Sequence, residues 1–268
     1  MEFVHSEEHG RFHMLGPVGP TCKTPLEHYG NGDEEKRACG LQQLQKIDQV
    51  STGESKNECV IYSIGSGGKW NFEEEIVQKT DCRVETFDCT VGAGYKPPDH
   101  IKHRVRFHYL CLSDSDYELN GLKFVSWPTL NKITGVSKPP TFLKMDIEGY
   151  EFPVMKSIID SGVMLPLQIA MEVHYIRVIG GKTEDRRANS AELLAFANYL
   201  YKFGGYYLID RHDNPFCKHC TEIVLAKLNC ENYPRPSNYK ELLLPSENKQ
   251  EAKFEKTVRE SLQAKYYS

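Results

Sequence analysis

From residue 59 onward, short apolar runs alternate with amphipathic stretches, and the alternation has the rhythm of a β/α fold. Cys59–Ile64 is a continuous apolar run of strand length, followed by a glycine-rich turn and, from about Asn71, by helical spacing. Arg83–Asp88 predicts a second strand, Val105–Cys111 a third, and Thr141–Asp146 a fourth, with a helix from Tyr150 to Ser161 behind it. Leu167–Val173 is the fifth. Ala191–Phe203 returns to helical spacing and leads through Gly204 and Gly205 into two further strands, Tyr206–Asp210 and Glu222–Ala226, which read as a long hairpin. Strands alternating with helices imply a mostly parallel sheet covered on both faces. In such sheets ligands bind at the C-terminal strand ends, near the point where the strand order reverses.

The pattern fails at both ends of the chain. Residues 1–47 are read as an N-terminal arm: Gly16–Pro20 is too dense in turn residues for regular structure, and Asp33–Leu41 predicts a short helix with acids in its first turn and bases after them. Asp48–Glu58 is a polar linker, so the domain proper is expected over 59–228. Residues 229–268 are expected to form a helix-prone appendage, since Tyr239–Ser268 mixes Glu and Lys with scattered Leu, Phe and Val. A charged stretch inside the domain, Gly180–Asn189, reads as a loop that shapes a pocket.

Within this frame the fourth strand is anomalous. In the run Phe142 to Glu151, strand alternation puts Phe142, Lys144, Asp146 and Glu148 on one side and Leu143, Met145 and Ile147 on the other. Three charged groups on one face of a core strand are costly unless paired, solvated in a cleft or bound to a ligand. The pattern therefore means either a structural ion pair around Lys144 or a site.

Composition narrows the functions without choosing one. With 268 residues, twelve Phe and fifteen Tyr, the chain can fill the core of one sizeable domain. A net charge of −4 gives no footprint for nucleic acid or anionic membrane. No apolar run is long enough to span a bilayer, and Met1–Glu8 lacks the basic and apolar regions of a signal peptide, so the chain as given reads as soluble. Nine cysteines, with no Asn-X-Ser/Thr sequon, leave the compartment open.

Candidate chemistry collects at the predicted strand ends. Ser63-Ile64-Gly65-Ser66-Gly67-Gly68 sits where the first strand turns into a helix, and glycines there either let a nucleotide-like ligand approach the backbone or simply close a tight turn. A dinucleotide fingerprint needs a third glycine at position 70; Trp70 stands there, which argues against a nicotinamide oxidoreductase. Asp88 ends the second strand about twenty residues on, where a carboxylate can hold both ribose hydroxyls or cap the following turn. Ser113 and Asp114 follow the third strand and either contact an adenine edge or start a turn. Asp146 and Glu172 end the fourth and fifth strands, with His174 on the same side as Glu172.

These residues resemble the FkbM-type S-adenosylmethionine-dependent methyltransferases: Ile64-Gly65-Ser66-Gly67, Phe87-Asp88, and above all Leu143-Lys144-Met145-Asp146-Ile147-Glu148-Gly149-Tyr150-Glu151 followed by Glu172-Val173-His174. A eukaryotic methyltransferase-like subgroup is nearer still, through Cys39-Gly40-Leu41 and Asp213-Asn214-Pro215-Phe216-Cys217-Lys218-His219-Cys220. The likeness spans roughly residues 38 to 228. It implies a class I methyltransferase Rossmann-like fold, with a mostly parallel seven-stranded sheet and a terminal antiparallel hairpin. It also implies S-adenosyl-L-methionine as cofactor, with Gly65 and Gly67 beside its methionine portion, Asp88 on its ribose and Ser113 and Asp114 near its adenine. The acceptor implied is a small molecule or glycan, methylated at oxygen. Ser63 stands two positions before Gly65, where this fold commonly carries an acid.

For catalysis the candidates are His174, Glu172 and Asp146, which could remove a proton from the acceptor or together hold a divalent metal that lowers its pKa. Cys217 and Cys220 form a C-x-x-C that is either part of a zinc site or a disulfide or thiol pair. Cys59 and Cys82 precede neighbouring strands while Cys89 and Cys111 lie near strand ends, so each pair could meet across the sheet. A methyltransferase-like fold that has lost catalysis and serves as a binding module is the alternative reading.

Overall fold

The structure, a computed structural model, describes residues 15–44, 59–174, 176–179, 182–187, 190–215, 217 and 220–227. The chain divides into a compact unit, Met1–Lys227, and a second, Leu228–Ser268. The expected C-terminal appendage and the Asp48–Glu58 linker lie outside the described residues.

In chain order the elements are β1 (Glu27–Tyr29), β2 (Lys36–Ala38), β3 (Val60–Ile64), α1 (Asn71–Lys79), β4 (Arg83–Phe87), β5 (Val105–His108), β6 (Cys111–Leu112), β7 (Tyr117–Leu119) and β8 (Leu122–Val125). There follow α2 (Trp127–Thr134), β9 (Phe142–Met145), α3 (Glu151–Ser161), β10 (Gln168–His174), β11 (Ile176–Ile179), β12 (Lys182–Arg187), α4 (Ser190–Lys202), β13 (Tyr206–Asp213) and β14 (Cys220–Lys227). The main sheet has seven strands in the order β13-β14-β10-β9-β3-β4-β5. Neighbours from β5 to β10 are parallel, whereas β14 runs antiparallel to both β10 and β13. The order reverses at β3, which lies between β4 and β9. This is the class I methyltransferase Rossmann-like arrangement, with the antiparallel pair expected at its end.

Every residue of β3, β9 and β10 is buried, because helices cover both faces of the sheet. On one face Phe72 and Ile76 of α1 pack with Ile61, Val84, Phe142 and Ala170. On the other, Tyr62 meets Phe87 and Trp127 edge-on, with centroids 5.6 Å apart in each case, and donates to Asn131 Oδ1 of α2. Gly135 and Gly162 end α2 and α3 in left-handed conformation, φ 64° and 61°, where a Cβ would be disfavoured.

Three expectations need correction. Asp33–Leu41 is not a helix: a single 3-10 turn over Gly32–Glu34 leads into β2, which pairs antiparallel with β1. Gly30, Gly32 and Gly40 all take positive φ and interrupt any helical run, and strand geometry carries Lys36 and Ala38 inward on the same side. The arm is thus a docked hairpin. Cys22–Cys39 closes it, Arg37 ties it to Asp210, and Gln168 at the start of β10 accepts from Cys39 N–H at 2.5 Å and donates to Cys39 C=O at 2.9 Å. Secondly, the third strand splits, since after β5 the chain leaves the main sheet and Cys111–Leu112 joins a small sheet ordered β6-β8-β7. Thirdly, much of Gly180–Asn189 is strand: β12 pairs antiparallel with β11, although Lys182-Thr183-Glu184-Asp185-Arg186-Arg187 has no apolar alternation to reveal it.

Cys59–Cys82 and Cys89–Cys111 are both disulfide-bonded, the first between residues that precede β3 and β4, the second between the residue after Asp88 and the start of β6. Among the described residues no helix is long and apolar enough to cross a membrane.

Gln168 is buried and its amide makes two hydrogen bonds with one backbone unit of the hairpin. Gln168→Leu should lower the unfolding free energy by about 1–3 kcal/mol. Hydrogen exchange checks the assignment: protection should fall in β1 and β2 and stay intact in β3, β4 and β9. Equal loss across the whole sheet would show that Gln168 does not act through the hairpin.

Candidate active site at the strand ends

The C-terminal ends of β3, β4, β9 and β10 bring together two groups of residues. The first is the glycine turn after β3. Gly65 N–H donates to Phe87 C=O of β4, and Asp146 N–H donates to Ile64 C=O, so the turn is gripped from both sides. Gly65 takes φ +80°, and a Cβ on it would lie 1.7 Å from the carbonyl oxygen of Asp146; only glycine fits. Gly67, φ +56°, has nothing within 4 Å of where its Cβ would stand. That side of the turn is open to a ligand's approach.

Asp88 directs both carboxylate oxygens into the protein. Oδ2 accepts from Ser66 N–H at 2.9 Å, Ser66 Oγ–H at 3.2 Å and Gly67 N–H at 2.8 Å; Oδ1 accepts from Thr90 N–H and Oγ1–H, each at 2.7 Å. Five donors exhaust the lone pairs of one carboxylate. Ser113 and Asp114 stand at the bend after β6, where Ser113 N–H donates to Val125 C=O, its hydroxyl to Asp114 Oδ1, and Ser157 to the Asp114 carbonyl. The turn-forming roles left open for these three residues are therefore filled. A cover over the turn escaped sequence reasoning: Tyr95 donates to Gly68 C=O and stacks on Trp70 at 5.2 Å.

The second group is acidic. Lys144, buried, lies across from Ser63 and Ala170 in the sheet register, where small neighbours leave its chain room to donate to Gly65 C=O at 2.5 Å. After Met145 the strand ends, and Glu148 takes a left-handed φ of 54°, rare for a non-glycine residue, as the chain turns into α3. Glu151, fully buried at the first position of α3, closes that turn: its Oε1 accepts from Ile147 N–H, Gly149 N–H and His174 Nδ1 at 3.0–3.3 Å. His174 Nε2 then faces Asp146 at 4.0 Å, Glu172 at 3.9 Å and Glu148 at 3.7 Å. The three residues expected to work together, Asp146, Glu172 and His174, do meet. Asp146 is the most open of them, its side chain 17% exposed against 6% for Glu172 and 7% for His174.

Register also sets Glu172 of β10 beside Glu222 of β14, two like charges opposite one another, an unfavourable pairing on its own. The missing cation is Lys36 of β2. Fully buried, it lies 2.5 Å from Glu222 and 3.9 Å from Asp146. Burial opposes its charge, yet Glu222, Asp146 and Glu172 hold the ammonium above its ordinary range. Burial likewise opposes charge on Asp146, but Lys36, Lys144 and His174 keep its carboxyl below the usual value. Glu172, desolvated and beside Asp146 and Glu222, is pushed up to about 9. For His174 burial is outweighed by Glu151, Asp146 and Glu172, which carry the imidazole up to about 10. The roles of Lys36 and Glu151 are not legible in the sequence: Lys36 lies in a stretch that reads as helix, and Glu151 closes the run from Leu143 with no contact to mark its part.

The end of β13 and the start of β14 reach Glu172. Asn214 donates to Glu172 Oε1 at 2.7 Å and to Asp33 at 2.8 Å, Cys220 touches Glu172, and Cys217–Cys220 is joined as a disulfide.

A family model described as a methyltransferase domain matches residues 15–227, the whole of the unit that carries this site. The chain belongs to that family. As a methyltransferase of the S-adenosylmethionine-dependent class, it has its N-terminal hairpin inside the family's span, in keeping with the docking of β2 onto β10. No curated protein is similar enough to match it. Solved structures of similar fold include the fibrillarin/Nop5p complex, 12% identical over 69% of this chain and 79% of that one, TM-score 0.40. Another is the 1,6-didemethyltoxoflavin-N1-methyltransferase of Burkholderia thailandensis with bound 1,6-didemethyltoxoflavin and S-adenosylhomocysteine, at 13%, 70%, 78% and 0.39. The N-methyltransferase NodS of Bradyrhizobium japonicum, in complex with S-adenosylhomocysteine, gives 10%, 70%, 85% and 0.37. At these identities and scores they say nothing about the methyltransferase's acceptor.

Lys36→Met removes the buried cation from between Glu222 and Asp146. The expected loss of unfolding free energy is about 3–5 kcal/mol, the cost of leaving a buried charge unpaired. Adding Glu222→Gln to Lys36→Met should recover most of it in urea unfolding. A loss below about 1 kcal/mol for the single variant would mean that the acids are satisfied without Lys36.

Proposed function

We propose that this methyltransferase moves the methyl group of S-adenosylmethionine to a hydroxyl of a small or glycan-like acceptor, with Asp146 as the residue that meets that hydroxyl. The observation that carries this reading is the contact between the two groups of the site. The backbone of Asp146 lies against Gly65 of the glycine turn, and its carboxylate is more exposed than Glu172 or His174 beside it. A methyl donor lying along Gly65–Gly67 and an acceptor lying against Asp146 would be held by adjacent strands, β3 and β9. Bound S-adenosylmethionine supplies an electrophilic methyl on a sulfonium sulfur. Asp146 would accept a hydrogen bond from the acceptor hydroxyl and take its proton as the new C–O bond forms and the C–S bond breaks. Lys144, Glu172 and His174 would position Asp146 rather than touch the acceptor.

The choice of oxygen over nitrogen and the glycan-like acceptor rest on the narrower FkbM-type likeness of the segment from Lys144 to Glu151 and of Glu172-Val173-His174. For Asp88 the hydrogen bonds favour an indirect role: it shapes the cofactor turn through Ser66 and Gly67, where direct contact with the ribose was expected from its place after β4.

Two measurements test this reading. Asp146→Asn should reduce kcat by a factor of about 10²–10⁴ while cofactor affinity stays within a few fold, because only proton removal is lost; a matching collapse of cofactor binding would place Asp146 on the cofactor instead. For Asp88, cofactor affinity is compared for the natural and 2′-deoxyribose forms of S-adenosylhomocysteine, in wild type and Asp88→Asn. If Asp88 acts through the turn, the variant loses about 1–3 kcal/mol with both ligands and the two losses add. Non-additivity, with the variant indifferent to the missing hydroxyl, would return Asp88 to the ribose.

A further inference from the structure

Glu172 and His174, on the same face at the end of β10, meet Cys217 and Cys220 of the β13–β14 connection. One donor atom from each, two sulfurs, an imidazole nitrogen and a carboxylate oxygen, lies within 4.8 Å of all the others. We propose that these four side chains form a structural site for a zinc-class divalent cation, which pins the β13–β14 connection onto the end of β10.

The donor set is selective. Two thiolates, one imidazole and one carboxylate suit four-coordinate zinc, whereas magnesium and calcium take oxygen ligands. The geometry delivers them in pairs. His174 stands directly opposite Cys220 in the β10–β14 register, and the i, i+2 spacing puts Glu172 on the same side of β10. C-x-x-C supplies the two sulfurs, Cys220 from the start of β14 and Cys217 from just before it.

The outer partners of such a site are also in place. His174 Nδ1 is engaged with the buried Glu151 at 3.0 Å, which leaves Nε2 to bind a metal, the carboxylate–histidine arrangement that orients metal-binding imidazoles. Asn214 holds Glu172 Oε1 at 2.7 Å. Glu172 and Cys220 are buried, so a cation held between them would be shielded from solvent. A rival grouping, Asp146 with Glu148 and His174, needs the same imidazole nitrogen and relies on Glu148, whose side chain is 60% exposed.

Disulfide and metal are exclusive states of Cys217 and Cys220. A dithiol reductant opens the bridge: it gives up two electrons and two protons and becomes a disulfide, while the two cysteines become thiols. Zinc then binds both sulfurs as thiolates, the Glu172 carboxylate and the unprotonated Nε2 of His174, and the protons displaced from all four groups go to solvent. The zinc-bound state would hold Glu172 and His174 beside Asp146 without taking Asp146 as a ligand, so failure of the two readings is told apart by readout: bound metal for this site, kcat for the acceptor base.

The test uses the full chain, treated with a dithiol under native conditions, exchanged into zinc and freed of excess metal. Elemental analysis and native mass spectrometry should find one zinc per chain. Alkylation followed by peptide mapping should find Cys217 and Cys220 protected until a chelator is added. The double variant Cys217→Ser/Cys220→Ser should lose zinc by at least about tenfold. Cobalt in place of zinc gives a further readout on the unaltered chain, an intense near-ultraviolet thiolate-to-metal charge-transfer band, which decides the matter if the double variant fails to fold. Absence of zinc from the reduced wild type, unchanged zinc in the folded double variant, or cobalt binding without that band would each overturn the proposal.

Discussion

Lys36 is the cation on which the strand ends depend. Sheet register brings Glu172 and Glu222 side by side and sets Asp146 at the end of the adjacent strand, so three carboxylates converge where solvent is largely excluded. Even with a counter-charge Glu172 is pushed up to about 9; without one the remaining carboxyls would have to protonate as well or the arrangement come apart. Lys36 supplies the charge from a two-stranded hairpin that is remote in sequence, 186 residues from Glu222. The hairpin can deliver it only because Cys22–Cys39, the Gln168 amide and Arg37–Asp210 fix its position. A stretch with the composition of an arm therefore completes the acidic face, and the family's span, beginning at residue 15, includes it.

Another dependence runs through Lys144. Its ammonium binds the carbonyl of Gly65 and lowers the carboxyl of Asp146 by its charge, while Glu73 of α1, buried and raised by that burial, is drawn back toward ionisation by the same lysine. Lys144 thus links the glycine turn, the acidic cluster and the helix behind the turn. This resolves the anomaly of a core strand with charges on one face. Phe142 belongs to the apolar cluster under α1, Lys144 fills the space left by Ser63 and Ala170, and Asp146 emerges at the rim. The alternation ends there, because Glu148 takes a left-handed conformation and leaves the strand.

Which features were legible in the sequence follows from which interactions are periodic. The seven main strands and three of the helices announced themselves because burial on both faces imposes unbroken apolar runs and helical spacing, and the meeting of Asp146, Glu172 and His174 followed from their places at adjacent strand ends. The meetings of Cys59 with Cys82 and of Cys89 with Cys111 were legible for a related reason, the first pair standing just before the neighbouring strands β3 and β4, the second just beyond the ends of β4 and β5. The roles of Lys36, Glu151 and Asn214 were not legible, although the last two stand in the motifs that carry the resemblance. Each acts across a large sequence gap or through a capping contact, and nothing local distinguishes Lys36 in Glu35-Lys36-Arg37 from a solvated surface lysine. Asp88 marks the limit: its position was found, but whether its oxygens face a ribose or the turn depends on φ angles at Gly65 and Gly67 that composition does not encode.

The glycine turn and the Asp146 carboxylate share one rigid boundary, the β3–β9 pairing. Ile64 opposite Met145 fixes Gly65 against the Asp146 carbonyl, and a Cβ at Gly65 would overlap that oxygen. A methyl donor on the turn and a nucleophile at Asp146 would therefore be aligned by sheet register rather than by a mobile loop. Register is a discrete variable: a slip by one residue would turn Lys144 and Asp146 to the opposite face and bury Leu143 and Met145 where the charges now stand. In-line transfer tolerates little misplacement, so on the proposed reading holding both partners on neighbouring, fully buried strands would be the physical reason for placing so expensive a set of charges at the strand ends.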